Sequence, residues 1–270
     1  MSALGEFLRA RRELVTPKDV GLETGGFRRV PGLRREEVAT LAGISADYYL
    51  RLEQGRDRHP SVQVLDALAR VLQLDETATA HLMGLGGHLP PRDPRDPLVP
   101  EGIPELIDGW PDNPAYVMSR FTDLLAVNRL AAALSPNYRV GVNMLRRLFL
   151  DPAEREMRRD WELMTEESVG TLRASTGADL SNPRLIELVS ELSAESERFR
   201  LLWSRHDVQV RHSRVHHLTH PVVGDLDLRA HKLIISGTDT VRLVVLHADP
   251  GSRDAERLAR LQLVASPAGS

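Results

Sequence analysis

Between Arg34 and Gln54 the sequence carries side chains that are suited to reading the edges of DNA bases. Arg51 can offer a bidentate pair of donors to guanine, and Gln54 can pair with adenine in the same way. Ala46 is small enough to lie against a thymine methyl, while Asp47 suits a cytosine amine or repels phosphate. Ala46 and Tyr48 flank this face, Leu50 is a further outward-pointing member, and Ser45 precedes it as the N-cap of the helix. The chemistry predicted for this segment is base recognition in the major groove.

Arginines surround that segment at positions suited to phosphate contacts. Guanidinium groups bind phosphate oxygens and hold a protein in register on the duplex without reading its sequence. Two arginines stand before the segment's first helix and two follow its second: Arg34, Arg35, Arg56 and Arg58. We predict phosphate contacts for all four, whereas Arg28 and Arg29 suit either the DNA backbone or a solvated loop.

The residue types that would indicate catalysis or metal binding do not form a known constellation. A zinc site needs three or four converging ligands, and the chain has no cysteine to supply any. On a strand His216 and His220 share a face and His217 points the other way, so this HxxxH lacks the helix and glutamate of a metalloprotease. The mixed charges of 151–167 have the spacing of a solvated helix face. We predict no catalytic residue, metal or cofactor, and therefore no enzyme.

Hydrophobic spacing in the first 85 residues predicts five short helices and no strand. Gly43 falls where a left-handed backbone can end one helix, and Ser45 can cap the next. The positions that two steeply crossing helices must bury are Val38, Ala42, Ile44, Tyr49 and Leu52. The segment therefore has the pattern of a helix-turn-helix.

Prolines and glycines between Gly84 and Pro104 predict a linker. We place one domain at 1–86, the linker at 87–104 and a second domain at 105–266. Alternating residues predict two short strands within 115–128, and helical spacing dominates 143–206. From Val208 onward four alternating segments predict four strands, and a last helix follows at about 253–263. The second domain is therefore expected to be α+β, built on an antiparallel sheet.

Bulk composition agrees with an ordinary soluble protein. The 270 residues carry a net charge of −3, which by itself does not indicate nucleic-acid binding. The absence of cysteine suits a reducing compartment. The first residues lack the apolar region of a signal peptide, and no apolar run approaches the ~18 residues that span a bilayer. We expect a cytoplasmic protein with no membrane partner.

A resemblance to the XRE (Cro/C1-type repressor) family rests on GLRREEVATLAGISADYYLRLEQGR and PSVQVLDALARVLQLD, and it covers residues 4–85. The GLRREEVA opening resembles an actinobacterial branch whose second domain is an MmyB-like ligand-binding domain. The second domain here is similar at NRLAAAL (128–134), LRRLFLDPAER (145–155), FRLLWSRHDV (199–208) and HPVVG (220–224). The resemblance implies a PAS-like fold and a small, largely apolar, fatty-acid-like ligand.

A ligand pocket of that kind would lie between the sheet and the helices above it. The apolar candidates are Phe121, Leu125, Val127, Leu148, Phe149, Trp161 and Trp203. The polar candidates are Asn128, His206, His217 and His220. For any one residue the alternative, a place in an ordinary packed core, is favoured by its type.

These patterns together predict a transcription regulator that binds a double-stranded operator as a homodimer and senses a small-molecule effector. One helix-turn-helix reads only a half-site, which is why a two-fold dimer is expected. Two alternatives stay open: a constitutive repressor whose second domain only dimerises or binds a protein, and a DNA-binding domain fused to an enzyme.

Overall fold

The computed structural model of the chain describes residues 2–22, 30–57, 59–88, 98–176, 182–208, 213–236, 238 and 241–265. Its first part contains, among the described residues, the five predicted α-helices: α1 (Ala3–Leu14), α2 (Arg35–Ala42), α3 (Ala46–Glu53), α4 (Val62–Val71) and α5 (Glu76–Leu85). Four of them begin at a short polar side chain that accepts a hydrogen bond from a first-turn N–H, and these caps are Ser2, Ser45, Ser61 and Asp75.

The five helices close around one apolar core. Its fully buried members include Phe7, Leu8, Val38, Leu52, Leu65, Leu68 and Leu82. Helix α1 crosses the end of α3 very closely, because a Cβ atom on Gly5 would lie 2.1 Å from the carbonyl oxygen of Glu53. Glycine is therefore required at that crossing.

The second part is α+β. Its helices are α6 (Ile103–Asp108), α7 (Arg129–Leu134), α8 (Met144–Leu150), α9 (Pro152–Met157), α10 (Trp161–Thr176), α11 (Pro183–Glu195), α12 (Glu197–Ser204) and α13 (Arg253–Ala265). Its strands are β1 (Ala115–Ser119), β2 (Leu124–Val127), β3 (Ser213–His220), β4 (Gly224–Ile234) and β5 (Val241–His247). They form one antiparallel sheet in the order β2-β1-β5-β4-β3, which confirms the α+β, PAS-like class.

The predicted division of the last strands differs from the structure. The four strands expected after Val208 are three among the described residues, because β4 continues through Ala230 and His231 without a turn. It can continue because its first half pairs with β3 and its second half with β5. On the two sides of the predicted linker, α5 ends at Leu85 and α6 begins at Ile103 with a proline in its first turn.

The second part has three apolar cores among its described residues: one on each face of the sheet and one formed by helices alone. One face of the sheet packs against α7 and α13, and the opposite face packs against α6. Helices α8, α10, α11 and α12 form their own apolar core around Leu145, Leu172, Leu188 and Phe199. The space where this helical core meets the sheet holds the cavity described below.

The two parts of the chain are in direct contact. Val208, just after α12, is 3% exposed and belongs to the apolar core of α1–α5. Beside it Arg11 Nη1 donates to Asp207 Oδ1 over 3.2 Å. Ala174, near the end of α10, packs against the same core. The second part is thus anchored on the first through both α10 and the segment that follows α12.

Candidate functional site

The turn between α2 and α3 has the geometry that the sequence predicts. Gly43 ends α2 in the left-handed region at φ +68°, and the N–H of Ile44 reaches back to Ala39 O over 3.0 Å. Ser45 Oγ then accepts from the N–H of Tyr48 over 3.1 Å and starts α3. Tyr49 on α3 is fully buried against α1 and α2. The inner face of α2 and α3 is therefore buried in the core of the domain.

The outer face of α3 is available for a partner. Its exposed members are Ser45, Ala46, Asp47, Arg51 and Gln54, and Tyr48 is half-buried beside them. Arg51 Nη1 donates to Asp47 Oδ2 over 2.5 Å, one turn earlier on the same face. The Arg51 guanidinium also lies 5.5 Å from the centre of the Tyr48 ring. Asp47, Tyr48 and Arg51 thus form one contact group on this face.

The arginines predicted to contact phosphate differ in whether they are already bound to another side chain. Arg34 and Arg56 are exposed at the two ends of the helix pair. Arg58 lies outside the described residues. Arg35 is 47% exposed, but its Nε is already bound to Glu53 Oε2 over 2.6 Å.

Glu53 is a residue that the sequence reasoning missed. Its side chain is 3% exposed, and its other oxygen accepts from Arg12 Nε over 2.7 Å. Burial alone would raise the pKa of Glu53, but the hydrogen bonds from Arg12 and Arg35 outweigh it and lower that pKa. Arg12 in turn donates to the carbonyl of Leu33, ahead of α2. This bridge ties α1, α2 and α3 together beneath the exposed face.

A cavity of about 100 Å³ lies between the sheet and helices α8 and α10. Its walls are largely apolar, with Tyr116 and Ala230 from the sheet and Leu145 and Leu148 from α8. Three methionines line it: Met118, Met144 and Met164. Methionine side chains are flexible, so they can adapt to a guest of irregular shape.

One side of this cavity is cationic. Arg158, Arg214, Lys232 and His216 line it. Arg158 is bound by Glu154, and Arg214 is bound by both Asp160 and Glu167. The side chain of Lys232 is half-buried, and burial lowers its pKa although the charge of Glu167 acts in the opposite direction. Two buried nitrogens, Arg158 Nη1 and His216 Nδ1, have no hydrogen-bond partner among the described residues.

Two sequence profiles match these two parts of the chain. A helix-turn-helix domain matches residues 3–82, and the MmyB-like transcription regulator ligand binding domain matches residues 99–261. The second match covers more than half of the chain. The chain belongs to the MmyB-like family. Its two domains together are those of a DNA-binding transcription regulator, as the sequence predicts. A comparison with curated proteins gives no significant match.

In this MmyB-like chain, Leu148 is the member of the predicted pocket set that lines the cavity. The aromatic candidates Phe121, Phe149 and Trp203 lie in or against the helical core. Trp161 Nε1 donates to the carbonyl of Leu148 over 2.7 Å, and the guanidinium groups of Arg155 and Arg198 lie over its ring. Leu125 packs against the core on the opposite face of the sheet, and Val127 packs beside α7.

The predicted polar anchors have partners elsewhere. His217 is 40% exposed and bound to Asp227 over 2.9 Å. His220 is buried, and its Nδ1 accepts backbone N–H groups of the turn after β3 while Nε2 donates to Ala133 O. His206 lies where the two domains meet. The sequence analysis did not predict the cationic residues that line the cavity. The one signal for them was Lys232, because β4 has apolar residues at alternate positions and Lys232 occupies one of these positions.

Asn128 is the N-cap of α7 and a hub of backbone hydrogen bonds. Its Oδ1 accepts from the N–H of Ala131 and of Ala115, at 2.9 and 3.0 Å. Its Nδ2 donates to the carbonyls of Ile107 and Asn113, at 3.1 and 2.8 Å. The side chain therefore joins α6, β1 and α7.

We expect Asn128→Ala to lower the free energy of unfolding by about 2 kcal/mol, from a lost cap and stranded buried backbone groups. Urea denaturation of the purified chain measures this. The matched control is Asn113→Ala, whose amide makes one bond to Leu246 O over 3.3 Å and should cost less than half as much. Unchanged stability together with weakened ligand binding would instead make Asn128 a pocket residue.

Neither a membrane span nor a metal cluster is found in the described part of the chain. None of its helices is both long and apolar enough to cross a bilayer. Within the same ranges no three His, Asp or Glu side chains are grouped so that they could hold a metal ion.

Proposed function

We propose that this regulator controls operator binding by sensing a small amphipathic acid, fatty-acid-like in character, in the cavity between the sheet and α8–α10. The observation that carries the proposal is the pairing of apolar, methionine-rich walls with buried donors that have no acceptor among the described residues. Buried donors without acceptors are costly, so a ligand that supplies an acceptor gains that free energy on binding.

The head group is expected to be a carboxylate. Lys232, Arg158 Nη1 and His216 Nδ1 line the same side of the cavity, where an anionic oxygen can accept charge-assisted hydrogen bonds. The chain's apolar part would then lie along Tyr116, Leu148 and the methionines. A volume of about 100 Å³ is below the ~300 Å³ at which ligand pockets usually begin, so the methionines must move to admit an acyl chain.

Helix α10 offers a route from the cavity to the DNA-binding domain. Thr171 lines the cavity, while Ala174 packs against the core of α1–α5. These residues are three apart, which is about 4.5 Å along a helix. A ligand that displaces α10 therefore changes the contact with the DNA-binding domain directly. The free energy by which it shifts the balance between two arrangements of the domains equals the difference between its binding free energies for those arrangements.

At the DNA, we propose that the exposed face of α3 reads base edges and that Arg34, Arg35 and Arg56 contact phosphates. Two copies of the chain would read the two halves of an operator as a homodimer. The combination of domains favours regulation over catalysis. Because a regulator of this kind must reach the chromosome, we propose a cytoplasmic location.

The ligand proposal is tested first by mass spectrometry of the purified, denatured protein for copurified acids. Titration of delipidated protein with decanoate then gives an affinity, and Lys232→Met should weaken it about 10- to 100-fold, as expected for one charge-assisted hydrogen bond. Arg229→Met is the matched control, because Arg229 lies on the same strand but is exposed and bound to Asp249. Its affinity should equal that of the wild type.

Operator binding is measured in parallel with and without decanoate. A change that Lys232→Met abolishes supports a ligand-controlled regulator. No copurified acid, no decanoate binding and unaltered operator affinity would contradict it and favour a constitutive repressor.

A further inference from the structure

A second cavity lies between the two domains, separate from the one between the sheet and α8–α10. Its volume is about 250 Å³, and helices from both domains line it. Phe7 and Leu85 contribute apolar surface from the DNA-binding domain, and Leu185 and Trp203 contribute it from the second domain. A ligand here would touch both domains at once.

Arg173 is the central polar group of this junction. It is 3% exposed, its guanidinium lies 4.0 Å from the centre of the Trp203 ring, and it donates to the carbonyl of Trp203. Its Nη1 also donates to His206 Nδ1 over 3.1 Å. Its Nε is buried with no partner among the described residues. A charged donor in the wall of a cavity is thus left without an acceptor.

The two histidines beside Arg173 are neutral. Burial and the charge of Arg173 lower the pKa of His206 to about 4 and that of His81 to about 3. Since His206 Nδ1 accepts from arginine, its proton is on Nε2, which is a further donor. His81 is 3% exposed, its ring packs on Phe7 at 5.2 Å, and its Nδ1 has no partner among the described residues.

The backbone of His206 lies in the left-handed region, which is unusual for a residue other than glycine. His206 has φ +54°, a left-handed conformation that is unfavourable for a residue with a Cβ. Such strain persists where the surroundings hold it, and here the bond to Arg173 turns the ring toward the junction. The nearby carboxylates are Glu6, which lines the cavity, and Asp207, which is paired with Arg11.

We propose that this junction binds a small apolar carboxylate, with its oxygens on Arg173 Nε and His206 Nε2 and its apolar part between Phe7, Leu185 and Trp203. Inorganic phosphate offers no surface for those apolar walls, which is why the carboxylate is favoured. Because both domains supply contacts, the bound molecule strengthens their contact and fixes the DNA-binding domain on the second domain. It is a second effector site, independent of the cavity that contains Lys232.

Calorimetric titration of the full chain with benzoate tests the proposal. We expect saturable binding of about one molecule per chain, weakened at least 10-fold by Arg173→Met. Arg200→Met is the matched control, because Arg200 is exposed on α12 and bonds only to Ser193 O among the described residues. Ile186→Trp, at a cavity residue that is 51% exposed, should block benzoate without lowering the melting temperature, and it carries the test if Arg173→Met does not fold.

Two controls separate this site from its alternatives. Lys232→Met should leave benzoate binding unchanged, because that residue lies in the other cavity; benzoate binding lost only in Lys232→Met would overturn the junction site. Benzyl alcohol and inorganic phosphate should each bind at least 10-fold more weakly than benzoate. Equal binding of either, no benzoate binding at all, or binding that survives both Arg173→Met and Ile186→Trp would also overturn it.

Discussion

Replacing Arg51 and Gln54 together with alanine is expected to lower specific operator affinity by roughly 30-fold to 20,000-fold. The estimate follows from about 1–3 kcal/mol for each bidentate contact to a base, at 1.4 kcal/mol per tenfold. Both side chains are exposed on the outer face of α3, so their removal leaves the core intact. Fluorescence anisotropy measures the loss, with an operator duplex taken from the DNA upstream of the protein's own gene and at one fixed salt concentration.

The same experiment distinguishes base reading from simple charge loss. Affinity for a scrambled duplex should fall only a few-fold, because phosphate contacts account for nonspecific binding. The matched control is the double variant Arg9→Ala/Arg70→Ala, which removes two exposed positive charges of the same domain away from α3. An equal loss on operator and scrambled DNA would show that Arg51 and Gln54 do not read bases.

Removing the buried carboxylate of Glu53 should have the largest effect on stability. We expect Glu53→Ala to lower the free energy of unfolding by about 3–5 kcal/mol, because it leaves Arg12 buried without its counter-ion. The side chains of Glu53 and Arg12 are 3% and 7% exposed, so water cannot replace the lost partner. Thermal and urea denaturation of the full chain, followed by circular dichroism, measure the change.

The exposed glutamate beside the same arginine is the control. Glu13 is 52% exposed and lies 3.7 Å from Arg12, so Glu13→Ala should cost at most about 1 kcal/mol. Equal effects of the two variants would mean that Glu53 is not the ion-pair partner that the structure describes.

The stabilisation from Glu53 also has a defined pH dependence. Its pKa in the folded chain is lower than in the unfolded chain, so the contribution is complete above the unfolded value of about 4.3. It is lost as the pH falls through the lower, folded pKa. The wild type should therefore lose stability below about pH 4, and the difference from Glu53→Ala should shrink there.

The sequence by itself determined the local structure of the DNA-binding domain. Five helices, the glycine that ends α2 and the serine that caps α3 are encoded by neighbours a few residues apart, and the structure confirms them. The family of the second domain was also readable, because its motifs are continuous stretches of chain. The orientation of the α3 face follows from helical periodicity alone.

Only the tertiary structure decided which side chains meet at the two cavities. Arg158, Arg214 and Lys232 come from three separate elements, and Arg173 meets His81 only because α10 docks on α5. Phe121 and Phe149 lie in or against the helical core, Trp203 lines the junction cavity, and the Asn128 side chain bonds backbone groups. Residue type records only that a side chain is suited to burial. Which apolar space it enters depends on how helices distant in sequence pack on the sheet, and no local pattern encodes that packing.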